Sequence, residues 1–366
     1  MPGKIAVRRG YGNSIIDWVR GNLLSSWGNA ALTLVLLALL WIVATRFLDW
    51  AVISAVFAGA DGSACAKPGA GACWPFVWHK LGLFTYGRYP EPGRWRVNLT
   101  YALALAGLVP LMVPRVPGKL GLSIYLLAAF PLIGFVLVRG GMLGLSYVPT
   151  ELWGGLFLTL LVASVGIAAS FPVGILLALG RRSELPIVRW VSIGFIEIVR
   201  GVPLVTVLFM ASVMLPLFLP PDVTFDKLLR ALIGVALFSA AYLAEVIRGG
   251  LQAIPRGQYE AADTLGLSYA QKMGLIVLPQ ALKLVIPGIV NSFISLFKDT
   301  SLVLIIGLFD LLGIVQQSIS ADPKWYSPQT PATGYFVAGV VFWVFCVGMS
   351  RYSAFLERRL AAGEKR

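Results

Sequence analysis

The chain has 366 residues, 58% of them hydrophobic and 13% charged, about half the charged fraction of a soluble domain. Its uncharged runs are long, which excludes a small soluble globule and places the chain in lipid. The net charge of +13 is scattered through short segments between apolar runs with no basic motif or stacking platform, excluding nucleic acid, and three cysteines with one histidine exclude a metal site built from this chain alone.

In chain order, a hydrophilic leader with Lys4, Arg8, Arg9 and Arg20 precedes an apolar run that starts near Asn29. The leader is too long for a cleavable signal and lacks a small-residue cleavage site, so the first span reads as a retained anchor. Eight spans follow the hydropathy: roughly 29–48, 97–114, 120–138, 152–180, 190–219, 228–248, 280–312 and 333–354. Most reach the ~20 residues needed to cross a ~30 Å hydrocarbon core. The fold class is therefore an all-α integral membrane protein with about eight transmembrane helices. The basic residues of the short connections fall on one side: the leader, Arg115 with Lys119, Arg181 with Arg182 and Arg189, the segment from Arg248 to Lys283, and the tail from Arg351 to Arg366. That asymmetry predicts cytoplasmic termini at both ends. The opposite side holds a polar segment at about 49–96, where Cys65 and Cys73 either bond across eight residues or remain thiols.

The chain divides near Pro149. Residues 1–149 carry three spans and the polar segment; residues 150–366 carry five spans and a cytoplasmic loop at about 249–279. That loop punctuates two short helices. The first runs through Tyr259, Glu260, Ala261, Ala262 and Asp263, with Gly266 placed to end it in a left-handed cap. Ser268 and Gln271 have capping-box spacing for the second, which is expected to stop before Pro279.

The spacing Glu260-Ala261-Ala262, three residues, Gly266, nine residues, Ile276, one residue, Leu278-Pro279 resembles the cytoplasmic signature of permeases in ATP-binding-cassette importers. Segments FIEIVRGVPL (195–204), FSAAYLAEVIRGG (238–250) and NSFISLFKDTS (291–301) resemble signatures of the polar amino-acid permeases within that family. Segments ACWPFVW (72–78) and YGRYPEPGRWRVN (86–98) resemble the M-type subunits of bacterial general L-amino-acid permeases. The resemblance implies a type I ABC importer permease core of five helices preceded by three more, in the bacterial inner membrane. It implies import of L-amino acids with broad specificity and no catalytic residue in this chain. The first short helix becomes a coupling helix for an ATPase, with Ala261 and Ala262 allowing close approach and Glu260 offering a carboxylate. Implied partners are a homologous permease subunit in a heterodimer, a dimeric ATPase that binds the ATP and Mg, and a periplasmic amino-acid-binding protein. This chain has no Walker A motif and no cofactor site of its own. Two other readings are an ABC permease for another small polar solute and an ion-coupled secondary transporter.

Charges inside apolar spans are costly and need partners. Glu197 with Arg200 and Glu245 with Arg248 are each three residues apart, on one helix face. Arg200 and Arg248 read as structural, near the cytoplasmic ends of their spans. Glu245 follows Ala240, Ala241, Tyr242 and Ala244, small enough positions to line a cavity. Lys298, Asp299, Thr300 and Ser301 interrupt the seventh span, which is too long for one straight helix across a bilayer. Breaks are expected at Pro287, Gly288 and this polar run, with Asp299 or Thr300 capping a restarted helix. Such a break either exposes backbone groups to a zwitterionic substrate or is a capped kink alone. Tyr242, Glu245, Lys298, Asp299, Thr300 and Ser301 are thus the substrate-pathway candidates.

Overall fold

A computed structural model describes residues 14–218, 220 and 225–364. Lys4, Arg8, Arg9, Lys365 and Arg366, which entered the expected orientation, lie outside the described residues. Among the described residues the secondary structure is helical, with only isolated β-bridges. Seven helices are long and apolar enough to cross a membrane, or eight if one bent pair counts as a span.

Two compact units are present. The smaller comprises, of the described residues, 14–76 and 324–333. Its helices are α1 (Ser14–Asn22) and α2 (Trp27–Leu48), the latter running on through a π turn over Asp49–Ile53. None of the central apolar window of α2 is buried, as expected of a helix whose solvent is lipid. After α2 the chain folds into a small knot closed by a Cys65–Cys73 disulfide. Ala72, Cys73 and Phe76 are fully buried there, and the Phe76 ring meets Trp325 at 6.1 Å between centroids. Gly62 packs against the Trp325 backbone, where a Cβ would come within 2.9 Å. The Cys73 N–H donates to Thr333 Oγ1 at 2.8 Å. The segment 49–96, expected to be a polar excursion, contains helix α3 (Trp74–Tyr86), whose apolar residues were too few to register as a span.

The larger unit comprises the described residues within 77–323 and 334–364. Helix α4 (Arg94–Met112) is followed by a span over Lys119–Arg139, in which α5 (Lys119–Ile124) and α6 (Phe130–Arg139) flank a π turn. Helix α7 (Gly155–Gly180) is the central column. Its N-terminus is set by backbone crowding: Gly87 and Gly155 both have left-handed φ, +64° and +63°. A Cβ on Gly87 would lie 2.3 Å from Gly154 Cα, and one on Gly155 would lie 2.3 Å from the Phe84 carbonyl oxygen. Only glycine fits either position.

The fifth expected span is not continuous. Helices α8 (Pro186–Gly201) and α9 (Leu204–Phe209), the latter extended by further turns to Phe218, meet at 106°. The cause is local: Val202 precedes Pro203 and takes extended backbone, φ −113° and ψ 137°, which no helix can continue. Helix α10 (Lys227–Ala253) packs along α7. Ala240, Ala241 and Ala244 of α10 are fully buried, and Gly174 of α7 sits against the Ala240 carbonyl and Leu243. Small residues thus bring these two backbones together.

Helix α11 (Arg256–Thr264) and a short α12 (Tyr269–Gln271) come next. The chain does not stop before Pro279. It widens into a π-helical stretch over Lys272–Val277 and continues as α13 (Leu278–Leu284), with Pro279 in its first turn. The seventh span is shorter than expected. Helix α14 (Ile286–Asp299) starts just ahead of Pro287, after a break at Val285, and tightens into a 3-10 stretch over Thr300–Ile306. Asp299 makes no side-chain cap there. An unforeseen helix, α15 (Leu311–Ala321), precedes the last, α16 (Thr330–Glu364).

Candidate functional site

The loop after α10 is rigidly built. Pro255 fixes the start of α11, and Gly266, at φ +69°, ends it. No atom lies within 4 Å of where a Gly266 Cβ would be, so its glycine answers to backbone conformation and not to crowding. Ser268 and Gln271 form the reciprocal capping box of α12. Asp263 pairs with Lys272 at 2.5 Å, and Gln258 accepts from Gln280 at 3.1 Å, so α11 is tied to the π-helical stretch and to α13.

Of the residues assigned to coupling, Glu260, Ala261 and Asp263 are exposed. Ala262 is fully buried and faces its own chain, so of the two alanines expected to allow close approach only Ala261 is exposed. The reason is helical geometry: in nine residues only one face can be presented, and position 262 lies on the other. Leu265, 74% exposed, and Tyr269, 57% exposed, flank Gly266 and add apolar surface to the presented face. Leu265 was not among the expected coupling residues, although an apolar residue next to a terminating glycine in a polar helix is a visible signal.

Tyr259 turns inward. Its hydroxyl donates to the Leu251 carbonyl at 3.0 Å and accepts from Arg182 Nη1 at 3.0 Å. Arg182 Nη1 also donates to the Leu251 carbonyl at 3.2 Å, and its guanidinium lies over the Tyr259 ring at 5.6 Å. Leu251 is near the end of α10, where carbonyls lack a helical partner. Three elements therefore meet at one oxygen: the end of α7, the end of α10, and α11.

One residue earlier, Arg181 enters a charged cluster. Its Nη1 donates to Glu245 Oε1 at 2.7 Å and to Glu197 Oε1 at 2.9 Å. Glu245 Oε2 accepts from Arg248 Nε at 2.9 Å and Nη2 at 2.7 Å, and Arg200 Nη1 stands 3.9 Å away. Glu197 and Arg200, expected on one face, thus reach different partners across the bundle. Arg200 also covers the Tyr242 ring at 5.6 Å, and the Tyr242 hydroxyl reaches the Arg200 carbonyl at 3.5 Å. In the sequence Arg181 and Arg182 read only as orientation charges; their partners lie 16 to 77 residues away, beyond any local pattern.

The substrate-pathway candidates fall into two groups at different levels of the bundle. Tyr242 and Glu245 sit on α10 near the charged cluster, where Val246 faces Gly288 of α14. Lys298 and Asp299 at the end of α14, and Thr300 and Ser301 in the 3-10 stretch after it, lie beyond the level at which Leu296 and Val235 converge on Gly166 of α7. Thr300 is fully buried and donates to the Phe297 carbonyl at 2.8 Å; Ser301 donates to the Lys298 carbonyl at 3.0 Å. Asp299 is half-buried beside Lys298 at the point where α-helix gives way to 3-10. Among the described residues, no group of three or more His, Cys, Asp or Glu side chains can hold a metal.

The chain is similar to known membrane permeases along most of its length. It is 53% identical to the inner membrane amino-acid ABC transporter permease protein YhdY of Escherichia coli strain K12, over 94% of this chain and 93% of the relative. It is 40% identical to the glutamate/glutamine/aspartate/asparagine transport system permease protein BztC of Rhodobacter capsulatus, with the same coverage of both. The shorter probable glutamine ABC transporter permease protein GlnP of Bacillus subtilis is 37% identical over 48% of this chain and 81% of its own. Residues 170–362 match the family described as binding-protein-dependent transport system inner membrane component, and to that family the chain belongs.

Proposed function

We propose that this chain is the transmembrane permease subunit of an ATP-driven, binding-protein-dependent importer of L-amino acids with broad specificity. The observation that carries the reading is α11: a rigid short helix that presents Glu260, Ala261 and Leu265 outward and is anchored through Tyr259 to the ends of two long helices. Such a helix suits docking to a separate ATPase dimer, which holds the ATP and Mg. The names of the relatives support amino acids as cargo. The remaining partners are a homologous permease subunit, forming a heterodimer, and a periplasmic amino-acid-binding protein. The chain lies in the bacterial inner membrane with both termini and α11 in the cytoplasm and the Cys65–Cys73 knot in the periplasm, where disulfides persist.

Residues 150–366 form the permease core and residues 1–149 an addition to it. The family match over 170–362 and the shorter relatives, which fit only part of this chain, support that division. Transport proceeds by alternating access. ATP closes the ATPase dimer, the α11 helices approach one another, and the spans open outward; hydrolysis resets them. Within the pathway, Glu245 is held among arginines, so Asp299 is the carboxylate left to meet a substrate ammonium, with Lys298, Thr300 and Ser301 beside it and Tyr242 nearer the cytoplasm.

Reconstitution tests this. In vesicles holding the complete transporter, uptake of labelled L-amino acids should require ATP on the α11 side and binding protein on the other. Glu260→Lys and Leu265→Asp should abolish both uptake and stimulated ATP hydrolysis while the chain stays in the membrane. Uptake driven by a proton gradient without ATP would refute the reading.

A further inference from the structure

Consecutive arginines at the end of α7 face two different structures. Arg182 holds α11 through the Tyr259 hydroxyl and the Leu251 carbonyl. Arg181 holds Glu197 of α8 and Glu245 of α10. Neither contact can shift far without displacing the other, because one peptide unit joins the two residues and both continue from the terminal turn of α7, which ends at Gly180. The two arginines have different bonding. Arg182 bonds a phenol and a carbonyl, which fix direction; Arg181 bonds two carboxylates, one of which, Glu245, is also held by Arg248 and Arg200 and stays paired if Arg181 moves. A displacement of α11 thus reaches the charged cluster as a competition between Arg181 and Arg248 with Arg200 for Glu245.

We propose that the Arg181–Arg182 pair is the positioning element that passes movement of α11 to the helix bundle, with Tyr259 as its contact on α11 and Glu245 as its receiver. This rests on the reading of α11 as the ATPase-contacting helix. Beyond Arg181 the contact between the two columns is direct: Ala178 of α7 is buried, and Gly174 sits against Leu243 and the Ala240 carbonyl of α10. Arg182 and Tyr259 contact neither ATPase nor substrate in this scheme; they act through Glu245 and the helices it joins. Coupling of this kind is a free energy shared between two sites, and it is lost when the bonds between them are cut.

The experiment uses the complete transporter, with its own partner permease, ATPase and binding protein, in proteoliposomes. Uptake of an equimolar mixture of labelled L-amino acids and ATP hydrolysis are measured together, and their ratio is the readout. Arg182→Ala is expected to lower amino acid moved per ATP by about tenfold, and Tyr259→Phe, which keeps the ring under the guanidinium but drops both hydrogen bonds of the hydroxyl, by about threefold. A purely structural role would lower uptake and hydrolysis in parallel and leave the ratio unchanged; that result in assembled complexes overturns the proposal. If Arg182→Ala fails to assemble, Tyr259→Phe decides by the same ratio. Glu260→Lys separates the two claims. An inactive Glu260→Lys beside an unchanged ratio in the other variants overturns the relay alone. Normal uptake by Glu260→Lys overturns the α11 reading and the relay with it.

Discussion

The two ends of α7 are held by opposite means. At its N-terminus, backbone meets backbone: Gly87 and Gly155 carry left-handed φ values with contacts that leave no space for a Cβ, and the Gly155 N–H donates to the Phe309 carbonyl at 2.9 Å. Thr159 donates back to Gly155 and accepts from the Leu311 N–H, closing α7 onto α15. At its C-terminus, long side chains do the holding through charge: Arg181 and Arg182 reach Glu197, Glu245 and Tyr259. Close packing has one arrangement, and any change of volume breaks it. Ion pairs between flexible arginines and several carboxylate oxygens have many arrangements of similar energy. An end built the first way is held in one place, and an end built the second way has room to shift.

The largest effect tests the fixed end. Gly87→Ala places a methyl group on the Gly154 backbone and demands left-handed φ of an alanine, so a loss of more than about 4 kcal/mol is expected, read as absence of folded chain in the membrane fraction. A Gly87→Ala chain that folds and melts normally breaks the comparison.

The second concerns charge at that same end. Asp310 caps α15, accepting from the Gly313 N–H at 2.9 Å, but is fully buried and its Oδ2 has no hydrogen-bond partner. Burial pushes its carboxyl up to about 6, from an ordinary 3.8. The folded state therefore binds this proton more tightly than the unfolded state. Stability from this group is full below about pH 4, falls as the pH rises toward 6, and stays low above it. Asp310→Asn keeps the cap and removes the charge. It should stabilise the chain by about 2–3 kcal/mol at pH 7.5 and by nothing below pH 4, read from thermal unfolding in detergent across that range. Equal gains at both pH values would mean the charge is not what costs stability.

The smallest effect tests the mobile end. Arg181→Gln removes two ion pairs, but Arg248 and Arg200 still hold Glu245 and the side chains are partly exposed. A loss of about 1–2 kcal/mol is expected in the same assay. A loss as large as that of Gly87→Ala would show that the charged end is as unyielding as the packed one.

Hydropathy and loop spacing made most of the spans, a short helix through Tyr259–Asp263, the Gly266 cap and the Ser268–Gln271 box legible, because each depends on residues within a few positions of one another. The break at Val202–Pro203 was written in the same local code and overlooked: a valine before a proline inside an apolar run. Other features were not local. That Ala262 faces inward while Leu265 faces out depends on how α11 lies against the chain. That Glu197 pairs with Arg181 and not with Arg200 depends on which helix end stands opposite. Pro279 misled because the bias it puts against α backbone in the preceding residue is outweighed here: Leu278 keeps φ −63° and ψ −42°, and the helix runs on. Asp310 lay inside the span expected at 280–312; that it caps a separate helix and is buried depends on neighbours more than 150 residues away.

The Cys65–Cys73 knot has a consequence for biosynthesis. Its Cys73 N–H bonds to Thr333, 260 residues later, and Phe76 and Gly62 pack on Trp325. At a ribosomal rate of about 5–20 residues per second, the knot emerges roughly 10–50 s before the segment that completes it. For that interval Phe76 and the polar backbone beside it lack their final cover. The disulfide requires no residue beyond Cys73, so it can close first and hold the half-finished surface in shape until the last span is threaded. A quality-control protease meeting the chain in that window would find a loop already cross-linked, and a chain truncated before residue 324 would carry the knot permanently unfinished, an exposed apolar tag of incomplete synthesis.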